Sequence, residues 1–297
     1  MKTLIENTFG VAIHLAWLAG LGTAGLGVAI WLSAFDVGSS EKDARESPPT
    51  SEIDPPVLEA GAVDETASTF NDAIVFARAR RATTQNLADY TATFSKTESI
   101  AGRFVQDQMN LKVRQKPFSV YIQSHSKRRP AREAIFVAGK NDDKLVFHES
   151  GIRGLITLNL KPDDPRIMAE NRYPVTAIGM ANLLDATLAI WERESHLSAS
   201  RAEVIISGQG MTGSSVCDLI QIPHPQRLDG LKFHRTRLSF EKATGLPIQV
   251  EQYDWPLNPG DSPPLIEKYT YSDIRTNSGL ADVDFDPTNS DYSFSKK

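Results

Sequence analysis

Residues 103–114 read RFVQDQMNLKVR. Val105, Met109, Leu111 and Val113 share one parity, and Gln106, Gln108, Asn110 and Lys112 share the other. A period of two belongs to a strand with one face on a core and one face in water. The next stretch repeats the pattern, with Phe118, Val120 and Ile122 opposite Ser119, Tyr121 and Gln123. Neighbouring strands that each keep a polar face point to an antiparallel sheet. The strands of a doubly wound parallel sheet are apolar on both faces.

Working towards the C-terminus, 133–138 and 144–148 predict a hairpin around Gly139-Lys140-Asn141-Asp142-Asp143, a tract with the residues that turns require. Further strands are predicted over 152–160, 202–208, 215–222, 231–241, 247–255 and 265–274. Two helices interrupt them. Residues 68–88 set Phe70, Ala73, Ile74, Ala77 and Ala88 on one stripe, with Arg78, Arg80 and Arg81 off it. Residues 179–194 align Met180, Leu184, Leu188 and Trp191, with Asn182, Asp185, Glu192 and Arg193 away from them. Helices inserted into a run of strands, rather than alternating with them, define an α+β domain. The expected architecture is a strongly curved antiparallel sheet, an incomplete barrel, with helices packed on the concave face. The tail, 282–297, carries Asp284, Asp286, Asn289 and Asp291 but no twelve-residue calcium loop, and is expected to be surface coil.

The N-terminal fifth reads differently. From Phe9 to Phe35 the only ionisable side chain is His14, and a helix over those residues would be about 40 Å long, enough to span a bilayer. The run exceeds the ~7–15 apolar residues of a cleavable signal peptide, so an uncleaved signal anchor over 1–35 is expected, with cleavage after its Gly-rich middle the alternative. Residues 36–66 hold nine acidic residues against Lys42 and Arg45, together with Pro48-Pro49 and Pro55-Pro56, and read as an acidic, disordered linker. Such a chain places the body, 67–297, outside the cytoplasmic membrane as a single-pass periplasmic domain.

Composition removes several function classes. The 297 residues carry a net charge of −5 and no polybasic field, so nucleic acid is not an expected partner. A lone cysteine, Cys217, allows no internal disulfide and no Cys-rich zinc site, and its apolar strand makes it a core residue. There is no G-x-S-x-G elbow, phosphate-binding loop, dinucleotide fingerprint or H-E-x-x-H helix. His125, His148, His224 and His234 show no ligand spacing, so neither a metal nor a cofactor is expected and the chain does not read as an enzyme. Two polar residues stand out as candidate ligand contacts. His148 closes a predicted strand, and Arg172 lies in Asn171-Arg172-Tyr173-Pro174, where it either orients a ligand or pairs with a carboxylate while Tyr173 packs.

The motifs Leu111-Lys112-Val113-Arg114, Pro117-Phe118-Ser119-Val120-Tyr121, Gly139-Lys140-Asn141-Asp142, His148-Glu149-Ser150-Gly151, Asn171-Arg172-Tyr173-Pro174, Tyr253-Asp254-Trp255-Pro256, Tyr269-Thr270-Tyr271 and Asp284-Phe285-Asp286-Pro287 occur in order. In this the chain resembles a bacterial family known as domain of unknown function 1571. More distantly, a helix followed by the strand 90–96 and a later lid helix resembles the lipoprotein-carrier fold of LolA and LolB. That resemblance implies an apolar cavity that shields acyl chains. The expected lining is Phe118, Val120, Ile122 and Phe136 from the sheet and Met180, Leu184 and Leu188 from the second helix. The expected function is a membrane-tethered domain that binds or hands over a lipid or other hydrophobic ligand. The alternative is a non-enzymatic envelope assembly or sensing module working through protein contacts.

Overall fold

The capping residue sets where the first helix begins. Thr69 Oγ1 accepts from the Asp72 N–H at 3.2 Å while Asp72 Oδ2 accepts from the Thr69 N–H at 2.8 Å, a reciprocal box that satisfies two N-terminal donors. Helix α1 therefore spans Phe70–Gln85 rather than 68–88, and Ala88 falls in the turn that feeds the first long strand. The structure, a computed structural model, describes residues 67–125, 131–151, 154–198 and 204–294. All of them belong to one unit, 60–297. The predicted anchor 1–35 and linker 36–66 lie outside the described residues, and none of the described helices is long and apolar enough to cross a membrane.

Among the described residues, twelve strands form one antiparallel sheet. They are β1 (Ala67–Ser68), β2 (Asp89–Ile100), β3 (Arg103–Arg114), β4 (Ser119–Ser124), β5 (Arg132–Val137), β6 (Leu145–Gly151), β7 (Gly154–Leu160), β8 (Val204–Thr212), β9 (Ser215–Pro223), β10 (Arg235–Glu241), β11 (Pro247–Tyr253) and β12 (Leu265–Thr276). Their order is β1-β8-β9-β10-β11-β12-β2-β3-β4-β5-β6-β7, so the sheet is open, with β1 and β7 at its edges. The predicted strand 231–241 begins only at Arg235, because residues before it turn inward and the Lys232 N–H donates to Glu194 Oε1 at 2.9 Å.

Helix α3 (Met180–Ser198) starts where two inner-face tyrosines hold it. The Met180 N–H donates to Tyr90 Oη at 3.0 Å and the Gly179 N–H to Tyr271 Oη at 3.2 Å. Burial pushes both phenols well above their ordinary range, so they stay neutral and able to accept these bonds. Gly179 has φ +118°, a conformation that side chains rarely adopt. The α1 arginines are each paired with a carboxylate: Arg78 with Glu192 at 2.7 Å, Arg81 with Asp185, and Arg80 with Asp218 of β9 at 2.9 Å. These off-stripe charges tie α1 to α3 and to the sheet.

Both helices cover one face of the sheet, the inner face, and share a single apolar core with it. Met180, Leu184 and Trp191 of α3 and Ala73 and Ala77 of α1 are sealed against Leu111, Val113, Val120, Ile220 and Leu238. Cys217 lies in this core, as its strand context implied.

The tail departs from expectation. Residues 280–294 are not surface coil: Phe285 and Tyr292 are buried against Tyr121, Ile135 and Val137 on the outer face. Tyr292 stacks on Tyr121 at 4.1 Å between ring centroids, and Lys112 donates to Asp284 Oδ1 at 2.6 Å. Those outer-face residues alternate with core residues on their strands, so their parity read as solvated although a later segment covers it.

Candidate functional site

Three cross-strand rows on the inner face, running from β2 towards β7, form the candidate site. In the first, Tyr90, Val113, Val120 and Phe136 are paired in register and all buried, closing one end of the face. The second row pairs Ala92, Leu111, Ile122, Ala134, Phe147 and Leu158. Ala92 and Leu111 are buried, whereas Ile122, Ala134, Phe147 and Leu158 are only half-buried. The helices thus seal the row at β2 and β3 and leave it partly open from β4 to β7. Half-buried Ile167 of α2 (Pro165–Met168), Ile178 and Leu183 pack against the same core.

The third row begins with Phe94 and Met109 and turns polar at Ser124, Arg132 and Glu149. Here the segment 161–179 is fastened to the sheet. Arg132 bonds Glu149 at 2.5 Å and Glu170 at 2.7 Å. Lys96 Nζ donates to Glu98 at 3.0 Å, to the Glu170 carbonyl at 2.9 Å and to Asn171 Oδ1. Glu98 also accepts from the Arg172 N–H at 3.3 Å and from the Tyr269 hydroxyl at 2.5 Å. Arg172 Nε donates to Glu267 Oε2 at 2.7 Å, and the Tyr173 hydroxyl donates to Glu267 Oε1 at 3.0 Å.

These charges are costly where they stand. Lys96, Glu98 and Glu267 side chains are 7 %, 3 % and 3 % exposed, and ions taken out of water recover that cost only through good partner geometry. Burial raises the Glu267 carboxyl above its ordinary value of 4.5, and the opposing pull of Arg172 and Tyr173 does not cancel it. A pair built this way holds position more than it adds stability. The segment 161–179 is thereby latched to the polar end of the inner face.

The sequence-predicted residues are distributed over both sides of this picture. Val120, Phe136, Met180, Leu184 and Leu188 are sealed in the core, while Phe118 and Ile122 are half-buried at its border. Arg172 sits in the latch, paired with Glu267 as its second reading held. His148 is on the other side of the sheet: its register partners Glu133 and Thr157 put it on the outer face with Phe294. It does not join the inner-face set. Lys96, Glu98 and Glu267 were not singled out. Their signal is in the alternation, because Lys96 and Glu98 follow Tyr90, Ala92 and Phe94 on the core parity of β2. Charges on the inward parity of a strand demand partners. Among the described residues no group of His, Cys, Asp or Glu side chains is arranged to hold a metal ion.

Rows sealed by helices, an apolar seam and a polar latch define an open, one-sheet antiparallel α+β domain with a helical cover. The chain belongs to the family described as Protein of unknown function (DUF1571), whose model matches residues 87–294. No curated protein matches it. Among solved structures it is similar to the Mycobacterium tuberculosis lipoprotein LppX, at 11 % identity and a TM-score of 0.40, covering 71 % of this chain and 98 % of that one. It is also similar to a LolA superfamily protein from Nitrosomonas europaea, at 10 % identity and 0.31, covering 74 % and 98 %. A DUF1329 family protein from Desulfovibrio piger ATCC 29098 gives 11 % and 0.35, covering 74 % and 98 %.

Proposed function

We propose that the domain takes up a lipid or other hydrophobic ligand through the inner-face seam, tethered to the cytoplasmic membrane by residues 9–35 and working on its periplasmic side. The observation that carries the reading is the second cross-strand row, which passes from buried Leu111 to half-buried Ile122, Phe147 and Leu158 without a change of chemistry. A packed core has no need of a half-open apolar row. An acyl chain laid along it gains about 0.8 kcal/mol per buried methylene. The latch supplies the gate: opening the Arg172–Glu267 and Lys96–Glu98 contacts to water frees 161–179 to move aside.

The test is lipid analysis of the purified full-length chain and two variants. Ile122→Asp places a charge on the half-open row, and Phe104→Asp places one at an exposed hairpin end. Tightly held lipid is expected in the parent and in Phe104→Asp and is lost in Ile122→Asp. Equal lipid in all three, or none in the parent, removes the carrier reading. Protein partners recovered equally with all three would then favour an assembly or sensing module.

A further inference from the structure

The outer face carries a polar cavity of about 530 Å³, separate from the inner-face seam. Its floor is a patch of three strands: Thr91 and Thr93 of β2, Asn110 and Lys112 of β3, and Tyr121 and Gln123 of β4. Asp273 and Arg275 line it from β12, and Asp291 and Tyr292 line it from the C-terminal segment. The stacking of Tyr292 on Tyr121 at 4.1 Å holds that segment in place.

Strand β12 is bent out of its alternation to bring its two charges here. On an unbroken strand Asp273 and Arg275 share the parity of Tyr269 and Tyr271, which are buried in the inner core. A bulge interrupts that parity. Ser272 pairs with Thr93 and Arg275 with Thr91, so that Asp273 and Ile274 together oppose a single residue, Ala92. Asp273 takes φ 52°, a left-handed conformation uncommon for a residue with a side chain. Beyond it Ile274 packs against the inner core and Arg275 stands beside Thr91. Bulges of this kind recur beside functional sites, where they re-aim side chains.

The lining sets the chemistry of what it can hold. Two cations, Lys112 and Arg275, meet two carboxylates, Asp273 and Asp291, so the cavity selects no net charge. Part of this set is spent within the fold: Lys112 donates to Asp284 Oδ1 at 2.6 Å and to Tyr292 Oη at 3.0 Å, and Gln123 Nε2 donates to Glu133 at 3.1 Å. The rest is not. Among the described residues the Arg275 guanidinium, the Asp291 carboxylate and the Thr91 and Thr93 hydroxyls have no hydrogen-bond partner. Asp273 accepts only from Ser272 at 3.3 Å, and Asn110 donates to Gln123 at 3.3 Å while its own side-chain oxygen stays open. Unspent donors and unspent acceptors therefore stand together without a surplus of charge. The neutral group that donates and accepts at once is a hydroxyl, and carboxylates and guanidinium bond it more strongly than neutral partners do.

We propose that this cavity binds a neutral saccharide, whose neighbouring hydroxyls bond Asp273, Arg275 and Asp291 above the cross-strand row Thr93, Asn110 and Gln123. None of these side chains belongs to the inner-face seam, so the two sites stand or fall separately.

The test is calorimetric titration of the full-length chain, in a polyoxyethylene detergent that carries no sugar, with cellotetraose and with tetra-N-acetylchitotetraose. Saturable binding of at least one is expected, and tetraethylene glycol, which lacks the array of hydroxyls, should not bind. Joint replacement Arg275→Ala and Asp291→Ala, both exposed, should weaken the saccharide about tenfold. Thr93→Trp should fill the floor and abolish binding. Ile122→Asp, on the inner face, should leave it unchanged, so failure here and failure of the inner-face reading are told apart. No saturable binding of either tetrasaccharide, binding unaffected by the Arg275 and Asp291 pair, or binding that survives Thr93→Trp and is lost in Ile122→Asp overturns the proposal.

Discussion

At the residue scale the account turns on Glu267 and its two partners. Arg172 and Tyr173 both donate to a carboxylate that is almost wholly buried. Removing the guanidinium with Arg172→Ala leaves that charge unpaired and should cost about 3 kcal/mol in chemical denaturation. The pH dependence has a definite sign. Burial raises the Glu267 pKa above 4.5 in the folded state, so its contribution to stability is fully present below 4.5 and is lost as pH rises through the raised value. Glu267→Gln lacks this titration. Its stability relative to the parent should therefore climb between pH 4 and pH 7, read from denaturation midpoints. A relative fall over that window would show a depressed pKa and contradict the burial argument. Arg172 was legible as a residue with something to do, because it sits in a distinctive motif. Glu267 was not, because its partner lies 95 positions away and nothing local names it.

The elements divide by how far their partners are. Alternation placed β3 and β4, and a stripe placed α3 close to its observed start, because each pattern is complete within a dozen residues. The cap moved the start of α1 by two residues, and Thr69→Ala should cost about 1 kcal/mol by removing one side of the capping box. The C-terminal segment was misread because its apolar residues, Phe285, Tyr292 and Phe294, are too sparse for any period. They find the outer face only through the fold. Phe285 is 5 % exposed beneath the Arg114 guanidinium, 4.8 Å from its ring. Phe285→Ala should lower stability by about 3 kcal/mol, read from urea denaturation of the full-length chain. An effect within experimental error would mean that the segment is not anchored on the outer face.

For the whole molecule, the antiparallel α+β class was legible, whereas strand order was not. No local signal says that β12 returns to pair with β2, which sets Tyr271 opposite Phe94 and Tyr269 opposite Lys96. That pairing joins the helix-covered half of the sheet to the half that carries the seam, so the site exists only once the chain has closed on itself. Leu184 and Met180 lie over the sealed half, and the open row is made by Ile122, Phe147 and Leu158.

The most direct test places a photoreactive residue on that row. Phe147 replaced by p-benzoylphenylalanine in the full-length chain, irradiated in intact cells, should yield a protein mass increased by an acyl-bearing lipid. The same replacement at Phe104, 60 % exposed at the β2–β3 turn, should not. A lipid adduct at position 147 alone is the predicted result. No lipid adduct at 147, or equal adducts at both positions, would contradict a hydrophobic ligand site on the inner face.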